Sequence, residues 1–413
     1  SYKNIIQYGG TDYLSYYEMG YSYEMLGDLK NAEKNYTRAL SMRIDDEITR
    51  FRLENIVLSL YREELSRENR ALLSQFHFSK GEFYQDKHVS RKAFLQYKRA
   101  IQLEPLDPEI RLKLADLMRV DSYYELYVYE LKEIIRDTLD VNTIDLNDRI
   151  EIYGSRIAKN LASRWSVGQY EDEEGSYKYF PKTRIRVGVF DAFLSDYIYE
   201  NFVHRRLSRT LSEMLALTLS YYPKIEVIRD PQEITTRQDA MKKARELGLD
   251  YYVTGSLEEK EDSLKVRLGL LSGFNGKMIN AFDVYFTGND KIFHSVTSLA
   301  EHINNNLPLQ GLIVRLEGDR ALINIGKAHG VEKEMAFHII REGKLIKNPE
   351  TGEYKADPEV SLGRLTVTQV DERISEGTYT FSGLYNRVNI YDNIVLIEED
   401  EKEEEEEESN NTE

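Results

Sequence analysis

The sequence predicts a multidomain α and α+β chain: an N-terminal α-solenoid, a central α/β sandwich with a mixed sheet, and a small C-terminal β-barrel. Three observations predict it. Residues 1–165 repeat small and aromatic side chains at helical spacing. Residues 183–308 alternate strand-like and helix-like runs, and residues 309–397 turn to short strands punctuated by glycine. Residues 166–182 (Gly168, Glu171, Asp172, Glu173, Glu174, Gly175, Pro181) are polar and without periodicity, which reads as a linker.

Charge must be located before it is interpreted. The 413 residues carry 72 acidic and 55 basic side chains, a formal charge of −17. Residues 398–413 hold eleven acids and one lysine, leaving −7 for the other 397 residues. Like charges without apolar partners predict a disordered tail over 398–413. The body has no concentrated basic patch, which argues against nucleic acid as a partner. No apolar run reaches the roughly 18 residues of a membrane span. Absence of cysteine excludes disulfides, thiolate metal sites and cysteine nucleophiles. The chain opens on Ser1, so a signal peptide or lipid anchor is expected upstream.

In the first segment, an offset of 61 superimposes Gly20, Tyr23, Ala32, Tyr36 and Ala39 on Gly81, Tyr84, Ala93, Tyr97 and Ala100. This spacing resembles the tetratricopeptide (TPR) repeat, whose small residues let two antiparallel helices approach while the tyrosines fill the space beside them. Gly27 breaks the chain between helices and Asp28 is placed to cap the second. Pro105 closes the second copy, where the first has Ile44. The copies span 13–46 and 74–107, and the 27 residues between them predict a shortened unit. A third unit starts at Leu114 and Ala115 but carries Tyr127 and Ile134 where small residues belong. Its second helix, 123–139, reads as a capping or domain-docking helix. The alternative is a partner-binding surface on Tyr123, Tyr124, Tyr127, Val128 and Leu131. A last helix is expected over 145–165. The concave face of such an array is its usual binding surface.

The next segment predicts β-α-β-α-β-β-β-α: strands at 185–189, 225–228, 251–257, 264–271 and 278–286, with helices at 207–219, 233–247 and 292–305. Val187–Phe190, Ala244, Leu247–Tyr252 and Val253–Leu257 resemble the TolB N-terminal and CsgG-like fold, which implies service in envelope assemblies without catalysis. No catalytic or cofactor pattern competes with that reading. Asp191-Ala192-Phe193-Leu194 cannot cradle a pyrophosphate, Gly276-Lys277 and Gly326-Lys327 are not P-loops, and no Gly-x-Ser-x-Gly elbow occurs. His77, His88, His204, His294, His302, His329 and His338 form no His-Glu-x-x-His pair; His294 and His302, eight apart on one helix, cannot share one metal without help and read as ordinary solvent or interface histidines. Asp191, near a strand end, is the one carboxylate placed where α/β folds bind ligands. No catalytic residue, cofactor or metal is expected.

From Gly311, a hairpin (312–316, a turn at 318–320, 321–325) is followed by strands at 337–341, 364–370 and 388–397, with a polar turn region at 347–357. This predicts an SH3-like barrel. Ile325-Gly326-x3-Gly330-Val331, Asn348-Pro349-x-Thr351-Gly352-Glu353, Leu362-Gly363-x-Leu365-x-Val367 and Ser375 resemble the C-terminal domain of the flagellar protein FlgT, a family with a TolB-like domain directly before it. The helical array is the departure from that family. Repeat-bearing proteins with such tails resemble periplasmic collar components of the flagellar motor. The resemblance implies a periplasmic, non-catalytic scaffold with envelope or motor proteins as partners and a homo-oligomer or ring as its assembly. An adaptor for outer-membrane or lipoprotein secretion is the alternative.

Overall fold

The computed structural model describes residues 12–61, 68–137, 143–165, 184–193, 204, 207–230, 234, 236–273, 276–341, 345–347, 354–356, 360–381 and 387–397. The expected linker, the acidic tail and the string 348–353 lie outside the described residues. Two compact units emerge. One comprises described residues within Ser1–Ser122, Leu126–Tyr153 and Ile185–Asn306; the other, those within Tyr123–Glu125, Gly154–Arg184 and Leu307–Glu413.

The first unit opens with helices α1 (Tyr13–Met25), α2 (Leu29–Met42), α3 (Glu47–Leu60), α4 (Glu68–Asp86), α5 (Ser90–Leu103), α6 (Pro108–Val120) and α7 (Tyr124–Asp137, its first two residues counted in the second unit), followed by α8 (Thr143–Trp165), which runs on into the second unit. Aspartates start several of them. Asp28 accepts from the Asn31 amide, Asp46 from that of Thr49 and Asp107 from those of Glu109 and Ile110. Gly27 ends the α1 turn at φ 75°, a conformation open to glycine at little cost. The 61-residue offset is a three-helix period: α2 falls on α5 residue for residue, and α3 and α6 begin at equivalent positions. The shortened stretch 47–73 therefore holds α3 and the first turns of an extended α4. Ile48 through Glu54 are all buried, so α3 is covered on every side.

The same unit contains a five-stranded mixed sheet, β1 (Ile185–Phe193), β2 (Ile225–Asp230), β3 (Tyr251–Glu259), β4 (Ser263–Ser272) and β5 (Met278–Thr287), in the order β2-β1-β3-β4-β5. β1 pairs in parallel with β2 (Val187 opposite Val227) and β3 (Val187 opposite Tyr251), while β3, β4 and β5 form an antiparallel meander. α9 (Leu207–Ser220) lies on β1 and β2, and α11 (Lys291–Asn306) on β4, β5 and α9. α10 (Arg237–Glu246) packs on β3 with a core of Phe190, Ala240, Ala244, Leu249, Tyr252 and Leu271. It begins later than the pattern 233–247 suggested, because the Thr236 hydroxyl caps the Asp239 amide.

The second unit contains β6 (Gln310–Glu317), β7 (Arg320–Ile323), β8 (Ala336–Arg341), β11 (Val360–Val370), β12 (Ser375–Phe381) and β13 (Asn393–Leu396), closed as β11-β12-β7-β6-β13-β8, and a hairpin of β9 (Leu345–Lys347) and β10 (Tyr354–Ala356). Ile313, Ile323, Phe337, Ile339, Leu365 and Val367 fill the barrel. Complete burial of each stabilises by roughly 1.5–3 kcal/mol. Two elements differ from expectation. β12, Ser-Glu-Gly-Thr-Tyr-Thr-Phe, is a ladder strand too polar to announce itself. The closing strand shrinks from 388–397 to Asn393–Leu396 because Tyr391, at φ 73°, turns the chain just before it.

Candidate functional site

The motif residues set the helix spacing. Ala32, Tyr36, Ala39, Ala93, Tyr97 and Ala100 are fully buried. A Cβ on Gly20 would meet Tyr36 at 2.7 Å, and one on Gly81 would meet Tyr97 at 2.5 Å, so neither site has room for a side chain. Tyr36 donates to Glu24 at 2.7 Å and Tyr97 to Gln85 at 2.6 Å, the same bond in both copies. Tyr84 is buried and Tyr23 half-buried. The turn carbonyls of Ile44 and Pro105 accept from Arg50 and Arg111, again 61 residues apart. These arginine and Glu/Gln pairings were hidden in the sequence, because charged residues at those positions read as solvated.

In α7, Tyr127, Val128 and Leu131 are no more than 4% exposed and belong to the core, which takes these three out of the alternative partner surface, and Tyr127 stacks edge-on against Tyr153. In the second unit, the Lys327 ammonium lies 4.8 Å from the Tyr123 ring centre and the Arg156 guanidinium 4.7 Å from that of Tyr124.

The site that emerges is the seam where the helical array receives the sheet and its helices. Arg52 of α3, 1% exposed, donates to Thr210 Oγ1 at 3.1 and 2.7 Å, to Glu24 at 3.0 Å and to Glu213 at 3.1 Å. Burial alone would lower its pKa; Glu213 and Glu24 outweigh it and raise the guanidinium above its ordinary value. His204 donates through Nε2 to Asp46 at 2.9 Å and through Nδ1 to Glu259 at 2.7 Å, with its ring edge-on to Tyr17. Burial works against its charge, but the bonds to Asp46 and Glu259 hold its pKa up at about 9. With both ring nitrogens engaged as donors, the imidazolium has no lone pair for base catalysis, which suits a clamp.

The first turn of α11 completes the seam. Glu47 of α3 accepts from the amides of Ile292 and Phe293 at 2.8 Å each; burial pushes its carboxyl up to about 8 against those two bonds. Lys80 of α4 donates to both oxygens of Asp290, at 3.0 and 2.7 Å. Tyr84 packs on the Phe293 and His294 rings, and Lys92 of α5 reaches His294 Nδ1 at 2.9 Å. Two histidines thus sit in buried networks, His204 as the clamp and His77 between Glu54 and Gln96. The available signal was Arg50, Arg52 and Glu54 interleaved with Phe51, Leu53, Ile56 and Val57 in one helix.

Two cavities open along the seam. One of about 290 Å³ is bordered by Arg43, Asp45, His204, Glu261, Asp262 and Lys291; the other, of about 70 Å³, by Arg50, Phe76, Arg99, Tyr221 and Phe293. Among the described residues, no group of His, Asp and Glu could hold a metal ion, and no helix is long and apolar enough to cross a membrane. Asp191 lies within β1, and its side chain is outside the described residues.

With this geometry in place, comparison with known proteins is informative mainly for the sheet. The model of a family's second domain, TPASS_0648_2nd, matches residues 185–305, from β1 into α11 and under a third of the chain. No curated protein matches the sequence. Similar solved structures include the PelC dodecamer from Paraburkholderia phytofirmans, at 18% identity over 30% of this chain and 86% of that one, with a TM-score of 0.23. TTC0263, a thermophilic TPR protein of Thermus thermophilus, is 18% identical over 38% of this chain and 87% of its own, with a TM-score of 0.17. The LpoB C-terminal domain from Salmonella enterica is 13% identical over 27% and 87%, with a TM-score of 0.20. These are likenesses of parts, too low in score to say what this chain binds.

Proposed function

We propose that the chain is a non-catalytic protein–protein interaction scaffold of a bacterial cell-envelope assembly, and more narrowly a periplasmic component of the flagellar motor collar or ring. The observation that carries the scaffold reading is the helical array itself, with TPR-spaced glycines and alanines that bring paired helices into contact over Tyr36 and Tyr97. Support for the flagellar placement is the resemblance of the barrel strings to FlgT and of the preceding segment to TolB. The partners are then proteins of the motor or envelope, and copies of the chain assemble with one another as a homo-oligomer or ring. Electron cryotomography of motors in a deletion strain tests this, with loss of collar density expected. Unchanged motors, together with secretion proteins captured on a tagged copy, would replace it with the export-adaptor reading.

A further inference from the structure

A surface of the array made by α3, α4 and α5 is already occupied by a segment of its own chain. We propose that this surface is a receptor for a helix N-terminus of the form Asp-x-x-Phe-His, filled in cis by α11, and that a partner protein presenting the same chemistry competes for it. Four residues within 290–294 carry the argument. Asp290 is held through both oxygens by Lys80, the amides of Ile292 and Phe293 by the two oxygens of Glu47, the Phe293 ring by Tyr84 and His294 by Lys92. The receptor groups come from three helices of the array, α3, α4 and α5, and the seated segment comes from more than 200 positions later in the chain. Ion pairs and amide bonds stand here beside the Tyr84 ring contacts, and interfaces within a chain that carry such polar contacts resemble transient ones. Lys80 and Asp290 keep about a third of their side-chain surface in solvent, so a competitor can reach them first.

The proposal rests on the reading of the array as an interaction module, and its test is separable from that reading. A fluorescent peptide of residues 288–306 is titrated into the full chain. Asp290→Lys, which ejects the cis segment, is expected to bind the peptide at least about tenfold more tightly than the wild type. Adding Lys80→Glu to that variant is expected to abolish the gain. A charge-swapped chain, Lys80→Asp with Asp290→Lys, should stay closed and refuse the peptide. Equal binding by wild type and Asp290→Lys, or a gain that survives Lys80→Glu, would sink the idea even where partner capture stands. Should Asp290→Lys not fold, hydrogen exchange on the wild type decides. The Ile292 and Phe293 amides are expected to exchange through openings that leave the barrel and β1–β4 protected, and exchange only on global unfolding would overturn the proposal.

Discussion

The two three-helix units place the same motif in different surroundings, and α3 and α6 show the contrast best. Both begin with an aspartate cap and both send an arginine, Arg50 or Arg111, to the preceding turn carbonyl. They then diverge. Arg52 is 1% exposed and shared among Thr210, Glu24 and Glu213, whereas its counterpart Lys113 has a side chain 41% exposed and pairs with Glu82. The next pair is Glu54, buried under Arg99 and His77, against Ala115. Repeat packing is thus intrinsic to the motif, while the burial of Arg52 marks the helix that receives α9.

The sharpest way to break the comparison is Arg52→Ala. It removes the guanidinium that bridges Thr210, Glu24 and Glu213, leaving Glu213 to Arg209 and Arg229 and Glu24 to Tyr36, and should cost about 2–3 kcal/mol in chemical denaturation, while Lys113→Ala stays within about 0.5 kcal/mol. Equal losses would show that the seam does not distinguish the units. Smaller, and expected to be alike in both units, is the effect at the close-approach glycines. Gly81→Ala forces a methyl onto Tyr97 and should lose about 1–3 kcal/mol, partly offset by roughly 1 kcal/mol of helix propensity. Gly154→Ala, with nothing within 4 Å, receives only the gain, so melting temperatures should move in opposite directions. A subtler difference separates Tyr36→Phe from Tyr97→Phe. The first loses a bond to a carboxylate and the second a bond to an amide, so Tyr36→Phe should be the costlier by about 1 kcal/mol. Last comes a pH slope. His204 has a folded-state pKa raised to about 9 from 6.5, so its stabilisation is complete below the lower value and fades as pH rises through the higher. His204→Gln should flatten the fall in urea midpoint over that window; an unchanged slope would remove His204 as its source.

How much of this was legible follows from which forces act on single residues. Gly20, Gly81 and the alanines were readable because helix contact admits only small side chains there, whatever surrounds the pair. The mixed sheet was readable from Val187, Val189, Val253 and Val266, whose alternation and flanking turns act locally. Arg52, Glu47 and His204 were not, because their partners lie 158 to 246 positions away and a charge on a helix ordinarily points to water. β12 stayed hidden for a related reason: its place is fixed by the ladders to β11 and β7 on either side, rather than by its own polar sequence.

The long reach of Arg52 has a consequence for synthesis. Its acceptors Thr210 and Glu213 emerge from the ribosome 158 and 161 residues after it. At roughly 5–20 residues per second, α3 waits about ten to thirty seconds with a guanidinium that has no finished pocket. During that interval the array is an open nascent surface. A chaperone that shields α3, or a slowed stretch of translation before α9, would change the yield of folded chain without touching its final stability.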